Sequence, residues 1–136
     1  MKFEIHKYAL TIRESHLDTF GHMNNATYLQ ILEEARWEFI TNRGFGLKEI
    51  QAKGQGPVIL EINMKFLKEI KLRQKVIIES ETISYNRKIA TLRQHILNEN
   101  GEKLFEATLT FGFFDTQSRR LITPTPEWLH AIGIVK

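Results

Sequence analysis

No cysteine occurs in the chain, which excludes disulfides, zinc thiolates and a thiol nucleophile; any thiol chemistry has to arrive with a ligand. No apolar stretch is long enough to cross a bilayer, and Glu4, His6 and Lys7 break the run that a secretory signal needs. A cytoplasmic protein without a membrane partner is expected. Blocks of five or six like charges are also missing: 19 Lys and Arg stand against 16 Asp and Glu, for a net charge of +3 at pH 7. Such a mild excess suits an anionic small molecule or a carrier protein, and no basic stripe interleaved with aromatics marks a nucleic-acid surface. Repeats, linkers and low-complexity tracts are absent as well. The 136 residues, 42% hydrophobic and 26% charged, have the composition of one ordinary globular domain over residues 1–136. Surface scaling gives such a chain roughly 7,300 Å² exposed when folded against about 23,000 Å² unfolded, enough burial for a core without staples.

Periodicity then divides the chain. Residues 3–12 favour a strand, and residues 13–25, polar and holding Gly21, read as a loop. Over residues 26–41 the apolar positions Tyr28, Ile31, Leu32, Ala35 and Phe39 recur at spacings of three and four, which predicts one amphipathic helix capped by Asn24 or Asn25 and stopped at Gly44. Residues 42–56 read as a glycine-containing connection. From there the period becomes two. Val58, Leu60, Ile62, Met64 and Phe66 are expected on one core-facing side of a strand, and further strands fall at residues 75–85, 88–97 and 103–114. Phe105, Ala107, Leu109, Phe111 and Phe113 share a face, and Asn100-Gly101 is a hairpin signal just before them. Pro124, Pro126, Trp128, Leu129 and Ile132 predict a short closing helix. A lone long helix must bury its stripe on the only large apolar surface available, a curved antiparallel sheet of about five strands, so an α+β layout with the helix wrapped by the sheet is expected.

The densest polar cluster, Asp18 to Tyr28, lies just before this helix. A helix N-terminus presents unpaired N–H groups and partial positive charge, and so would stabilise a carbonyl oxygen turning into an oxyanion. Asp18 is the nearby carboxylate that could serve as base or nucleophile, and Gly21 lets the loop fold back. The same residues also make a plain capped loop, with Asp18 bracing a turn and Asn24 or Asn25 capping. His22 has no second histidine at i+4, and Asp18, His22 and Glu33 have no specific metal-ligand spacing, so no metal is expected.

Residues 13–29, with Asp18-Thr19-Phe20-Gly21-His22-Met23-Asn24-Asn25 at their centre, continued by Glu33, Glu34, Ala35 and Arg36, resemble the signature of hotdog-fold acyl-CoA thioesterases of the 4-hydroxybenzoyl-CoA thioesterase type. The likeness continues more loosely to about Pro126. It implies that Asp18 is the catalytic carboxylate of a D-x-x-G motif and that the backbone N–H of Asn25 polarises the thioester carbonyl. Tyr28 then lines the site, and Gly21, His22 and Asn24 shape its loop. Glu33 and Arg36 match an E-x-A-R piece with a structural or subunit-interface role. Where many relatives carry a second aspartate two positions before the catalytic one, this chain has His16. The resemblance further implies no cofactor, an acyl-CoA or acyl-carrier-protein substrate, and a homodimer or homotetramer with sites between subunits.

Thioesters need little help with the leaving group, since a thiol of pKa about 8.5 departs as thiolate. An oriented nucleophile and a donor to the carbonyl oxygen suffice, one good donor being worth about 3 to 4 kcal/mol. Whether Asp18 activates water or attacks to form an anhydride is left open by the sequence. Lys65, Lys71, Arg73, Arg87 and Lys88 are the candidate partners for CoA phosphates, and Phe20, Met23 and Phe66 the candidate walls of an acyl pocket. Alternatives are a non-catalytic acyl-CoA or acyl-carrier binding module, a dehydratase on the same fold, and a nucleic-acid binder.

Overall fold

The computed structural model of the protein describes residues 2–135. In chain order it contains β1 (Lys2–Phe3), β2 (Ile5–Thr11), a 3-10 turn (Glu14–His16), α1 (Asn25–Asn42), α2 (Leu47–Lys53), β3 (Gln55–Phe66), β4 (Lys75–Asn86), β5 (Ile89–Leu97), β6 (Lys103–Asp115), β7 (Arg120–Ile122), α3 (Pro126–Ala131) and β8 (Ile134–Val135). The main sheet is antiparallel in the order β2-β4-β5-β6-β3, with β7 added to β6, and β1 pairs with β8 alone. The expected first strand is split at Glu4, whose N–H donates to the Gly133 carbonyl at 2.7 Å.

α1 forms where the spacing places it, and the whole expected stripe, Tyr28 to Phe39, is buried together with Ile40. Its first turn is held by Asn24, in extended conformation, whose side chain accepts from the Ala26 N–H at 2.8 Å. The inward face of β6, Phe105 to Phe113, is buried along its length, Phe105 against Tyr28 of this helix and Phe113 against Phe45 and Trp128. The architecture is the hotdog: one long helix in the concavity of a curled antiparallel sheet.

Two readings are corrected. Residues 42–56 are more than a connection: Gly46 and Gly54 bound the short helix α2, Glu49 Oε1 accepting from the Gly46 N–H at 2.8 Å and Gly54 closing it at φ +67°. In β3 a bulge between Ile59 and Glu61 switches the face. Ile62, Met64 and Phe66 lie opposite Leu109, Ala107 and Phe105 as expected, but before the bulge Ile59, opposite Phe111, takes the inward place assigned to Val58 and Leu60. Because β3 is the last strand of the sheet, even its inward residues are poorly covered: Ile62 is 36% exposed and Phe66 49%.

Candidate active site

Residues 17–23 close into a small hairpin immediately before α1. Leu17 bridges Met23, the Asp18 N–H donates to the His22 carbonyl at 2.9 Å, and the Gly21 N–H donates to the Asp18 carbonyl at 3.0 Å. Gly21 has φ +81° with open space where a Cβ would stand, so glycine serves the left-handed turn rather than a close approach. Inside this loop Asp18 Oδ1 accepts from the N–H groups of His22 at 3.0 Å and Phe20 at 2.9 Å. These donors, His22 foremost, hold the exposed Asp18 carboxyl below its ordinary range. Asp18 is therefore an anion at neutral pH, with Oδ2 outside these two bonds.

At the helix tip the N–H of Ala26 goes to Asn24 Oδ1, and those of Thr27 and Tyr28 to the Asn24 carbonyl at 2.9 and 3.2 Å. The remaining first-turn N–H, that of Asn25, has no acceptor among the described hydrogen bonds. A fixed carboxylate loop thus leads within a few residues to one free amide at the positive end of an 18-residue helix. His16 does for the loop what a carboxylate would do, its Nδ1 accepting from the Arg13 N–H at 2.9 Å.

The other expected residues are placed as follows. Tyr28 is buried, stacked on Phe105 at 4.8 Å and edge-on to Phe66 at 4.9 Å, and burial pushes its hydroxyl pKa up. His22 and Asn24 are exposed on the loop and cap. Phe20 is 85% exposed at the loop tip, outside the cavity that opens beneath the second half of α1, whereas Met23 packs on the core. Asp18, His22 and Glu33 do not gather, and among the described residues no cluster of His, Asp or Glu is arranged to hold a metal.

The five basic candidates split into two groups. Lys71 and Arg73 sit before β4, where Arg73 donates to both oxygens of Glu14 at 2.7 and 2.9 Å, and Lys65 lies near that end, 3.9 Å from Glu106. Arg87 and Lys88 form the turn at the far end of β4, about 35 Å away at about 3.3 Å per residue. Within one subunit the two groups stand at opposite ends of β4.

The space between helix and sheet is lined by residues other than Phe20, Met23 and Phe66. Tyr28, Phe66 and Phe105 pack on one another near the helix tip, and a cavity of about 210 Å³ opens beneath the second half of α1, lined by residues including Arg36, Trp37, Ile59, Thr82 and Trp128. The buried polar residues Ser80, Thr82 and Gln94 beside it escaped sequence reasoning, although their even spacing from Val76 and Ile78, or from Leu92, puts them on inward faces.

A family model described as the thioesterase-like superfamily matches residues 12–132. The long-chain acyl-CoA thioesterase FadM of Escherichia coli (strain K12) is 31% identical over 114 residues, covering 83% of this chain and 86% of that protein. The chloroplastic acyl-acyl carrier protein thioesterase ATL2 of Arabidopsis thaliana is 26% identical over 121 residues, 88% of this chain and 64% of its own length. Among solved structures, a Staphylococcus aureus protein in complex with CoA superposes with a TM-score of 0.87 at 20% identity, covering 97% of this chain and 84% of that one. That likeness is one of fold. No helix among the described residues is long and apolar enough to cross a membrane.

Proposed function

The chain belongs to the thioesterase-like superfamily of hotdog proteins and is a thioester hydrolase, and we propose that Asp18 and the Asn25 amide act together on the carbonyl of an acyl-CoA. The observation that supports this reading is that an ionised, loop-fixed carboxylate lies a few residues before a first-turn amide that has no acceptor among the described hydrogen bonds. The Asn25 N–H stabilises the oxyanion. Asp18 either draws a proton from water or adds to the carbonyl itself before water completes the exchange; in both routes the C–S bond breaks and CoA leaves as thiolate, so no strong general acid is needed.

The test is thiol release from short, medium, long and aromatic acyl-CoAs, with an acyl-carrier-protein thioester alongside, followed from pH 4 to 8. Hydrolysis of at least one acyl-CoA class is expected. The Asp18 pKa is depressed by the His22 and Phe20 N–H groups, so its active, deprotonated form is lost only as pH falls below the ordinary carboxylate range. kcat/KM should accordingly stay flat from pH 7 down to about 5. An acid limb near pH 6.5 would instead assign the titrating group to a histidine, and saturable binding without turnover would make the protein a binding module.

We also infer a homodimer formed along β3. Leu60 at the bulge is 49% exposed, beside the half-covered Ile62 and Phe66, and the 8,314 Å² of accessible surface exceeds the roughly 7,300 Å² expected of a compact monomer of this mass. Antiparallel pairing of two β3 edges would carry the Arg87–Lys88 end of one subunit toward the helix-tip end of the other, uniting basic groups that one chain keeps apart. Ile62→Lys should shift the protein from dimer to monomer in sedimentation velocity. A wild type that sediments as a monomer at high concentration would refute the pairing.

A further inference from the structure

Arg36, on α1, lines the cavity of about 210 Å³, and only one of its donors is bonded to a protein group among the described hydrogen bonds. The side chain is half-buried, and its one described hydrogen bond runs from Nη1 to Gln94 Oε1 at 3.0 Å. No carboxylate of the described residues lies within ion-pair distance of it. A guanidinium carries five N–H donors, and those beyond the Gln94 bond are left to water or to a ligand at the wall of the cavity, whose other lining residues include Trp37, Ile40, Ile59, Phe111 and Trp128. Burial works against the Arg36 charge and the carboxylate of Glu33, at the rim, works for it.

The guanidinium is also aimed. Gln94 is fully buried, and its Nε2 donates to the Leu32 carbonyl at 3.0 Å and to Ser80 Oγ at 2.9 Å. The Leu32 carbonyl can only accept, which fixes the amide with Oε1 toward Arg36. A buried network reaching from β4 through β5 thus holds one corner of the guanidinium and leaves the opposite edge free. An unbranched alkyl chain entering this cavity would strip water from those N–H groups and return nothing, whereas an acceptor oxygen would satisfy them.

We propose that this cavity selects acyl groups bearing a second oxygen beyond the thioester carbonyl, a hydroxyl, oxo or carboxylate oxygen that accepts from Arg36. Its volume is below the roughly 300–1,000 Å³ of whole-ligand pockets, a size for part of an acyl group rather than for an entire acyl-CoA. Arg36 is on this reading a specificity-determining residue, with Gln94 as its positioning residue. The inference rests on the thioesterase reading for the identity of the ligand, but binding alone can test it.

The two tryptophans of the chain, Trp37 and Trp128, both line the cavity, so intrinsic fluorescence reports its occupancy. The probes are S-alkyl-CoA thioethers of one chain length, which cannot be hydrolysed: plain, hydroxylated, oxo-substituted and ω-carboxylated. The wild-type protein should bind at least one oxygenated probe about tenfold or more tighter than the plain one, the worth of a hydrogen bond to a charged donor. Arg36→Met should erase that difference. Equal binding of all four probes, preference for the plain chain, or no binding at all overturns the proposal. The wild-type comparison decides even if the variant does not fold. Selective binding without hydrolysis of any acyl-CoA would leave the cavity assignment standing and remove the catalytic one; hydrolysis with no oxygen preference would do the reverse.

Discussion

Asp18→Asn lowers kcat/KM for acyl-CoA hydrolysis by at least about a hundredfold while leaving the thermal unfolding midpoint within a degree or two. The substitution is chosen because the loop does not depend on charge alone. Asn keeps an oxygen to accept from the Phe20 and His22 N–H groups, and the side chain is exposed, so neither packing nor turn geometry is lost. Only the anion disappears. An amide oxygen is too weak a base to take a proton from water and too poor a nucleophile to add to a thioester, while the Asn25 amide and the acyl site are untouched, so kcat falls far more than KM rises. Steady-state thiol release from the best acyl-CoA of the panel, beside a thermal melt, reads both quantities. Undiminished turnover would reduce Asp18 to the loop brace that its hydrogen bonds also describe.

The parts of this molecule legible in the sequence are those in which one physical demand acts alone. α1 has a single buried stripe and β6 a single buried face, so periods of 3.6 and 2 expose them directly. β3 was readable only beyond Glu61, since a bulge changes the inward parity without any residue type that announces it. α2 is seven residues long, too short for periodicity to separate from a loop, and its only advance signal was Gly46 three residues before Glu49 with Gly54 as the stop. At the site, the sequence held the Asp18 loop and the helix tip together because they are contiguous. The Arg36–Gln94 link spans 58 positions and pairs two polar residues on faces where an apolar pattern is sought, so nothing local could reveal it. The half-open cavity and the uncovered β3 edge likewise depend on what lies beside the chain in space.

The largest stability effect should come from the tail, where the sequence offered one tryptophan after two prolines. Trp128 enters the core from α3, a six-residue helix that Thr125 caps through its Oγ1, accepting from the Trp128 N–H at 3.2 Å, and that Pro126 starts. The indole is 1% exposed, stacked on Phe113 at 5.0 Å and edge-on to Phe45 at 5.4 Å and Phe111 at 6.5 Å. It ties the last helix to β6 and to Phe45, in the segment between α1 and α2. Its Nε1 and the Tyr85 hydroxyl are both buried and fall short of a full hydrogen bond, yet the indole N–H eases the Tyr85 anion while burial, the stronger effect, pushes Tyr85 up to about 12. Trp128→Ala should cost about 3–5 kcal/mol, lowering the midpoint of thermal unfolding by about 10–20 °C, with urea unfolding at fixed protein concentration giving the same order. Trp128→Phe, which keeps a ring against Phe113, should recover most of that loss, and Phe20→Ala, on a side chain 85% exposed, should change stability by less than about 0.5 kcal/mol. If Trp128→Ala and Phe20→Ala cost the same, the tail is a decoration on the sheet. The large difference expected between them follows from Trp128 belonging to the same buried core as Tyr28 of α1, so that loss of the indole loosens an apolar column on which α1 also rests.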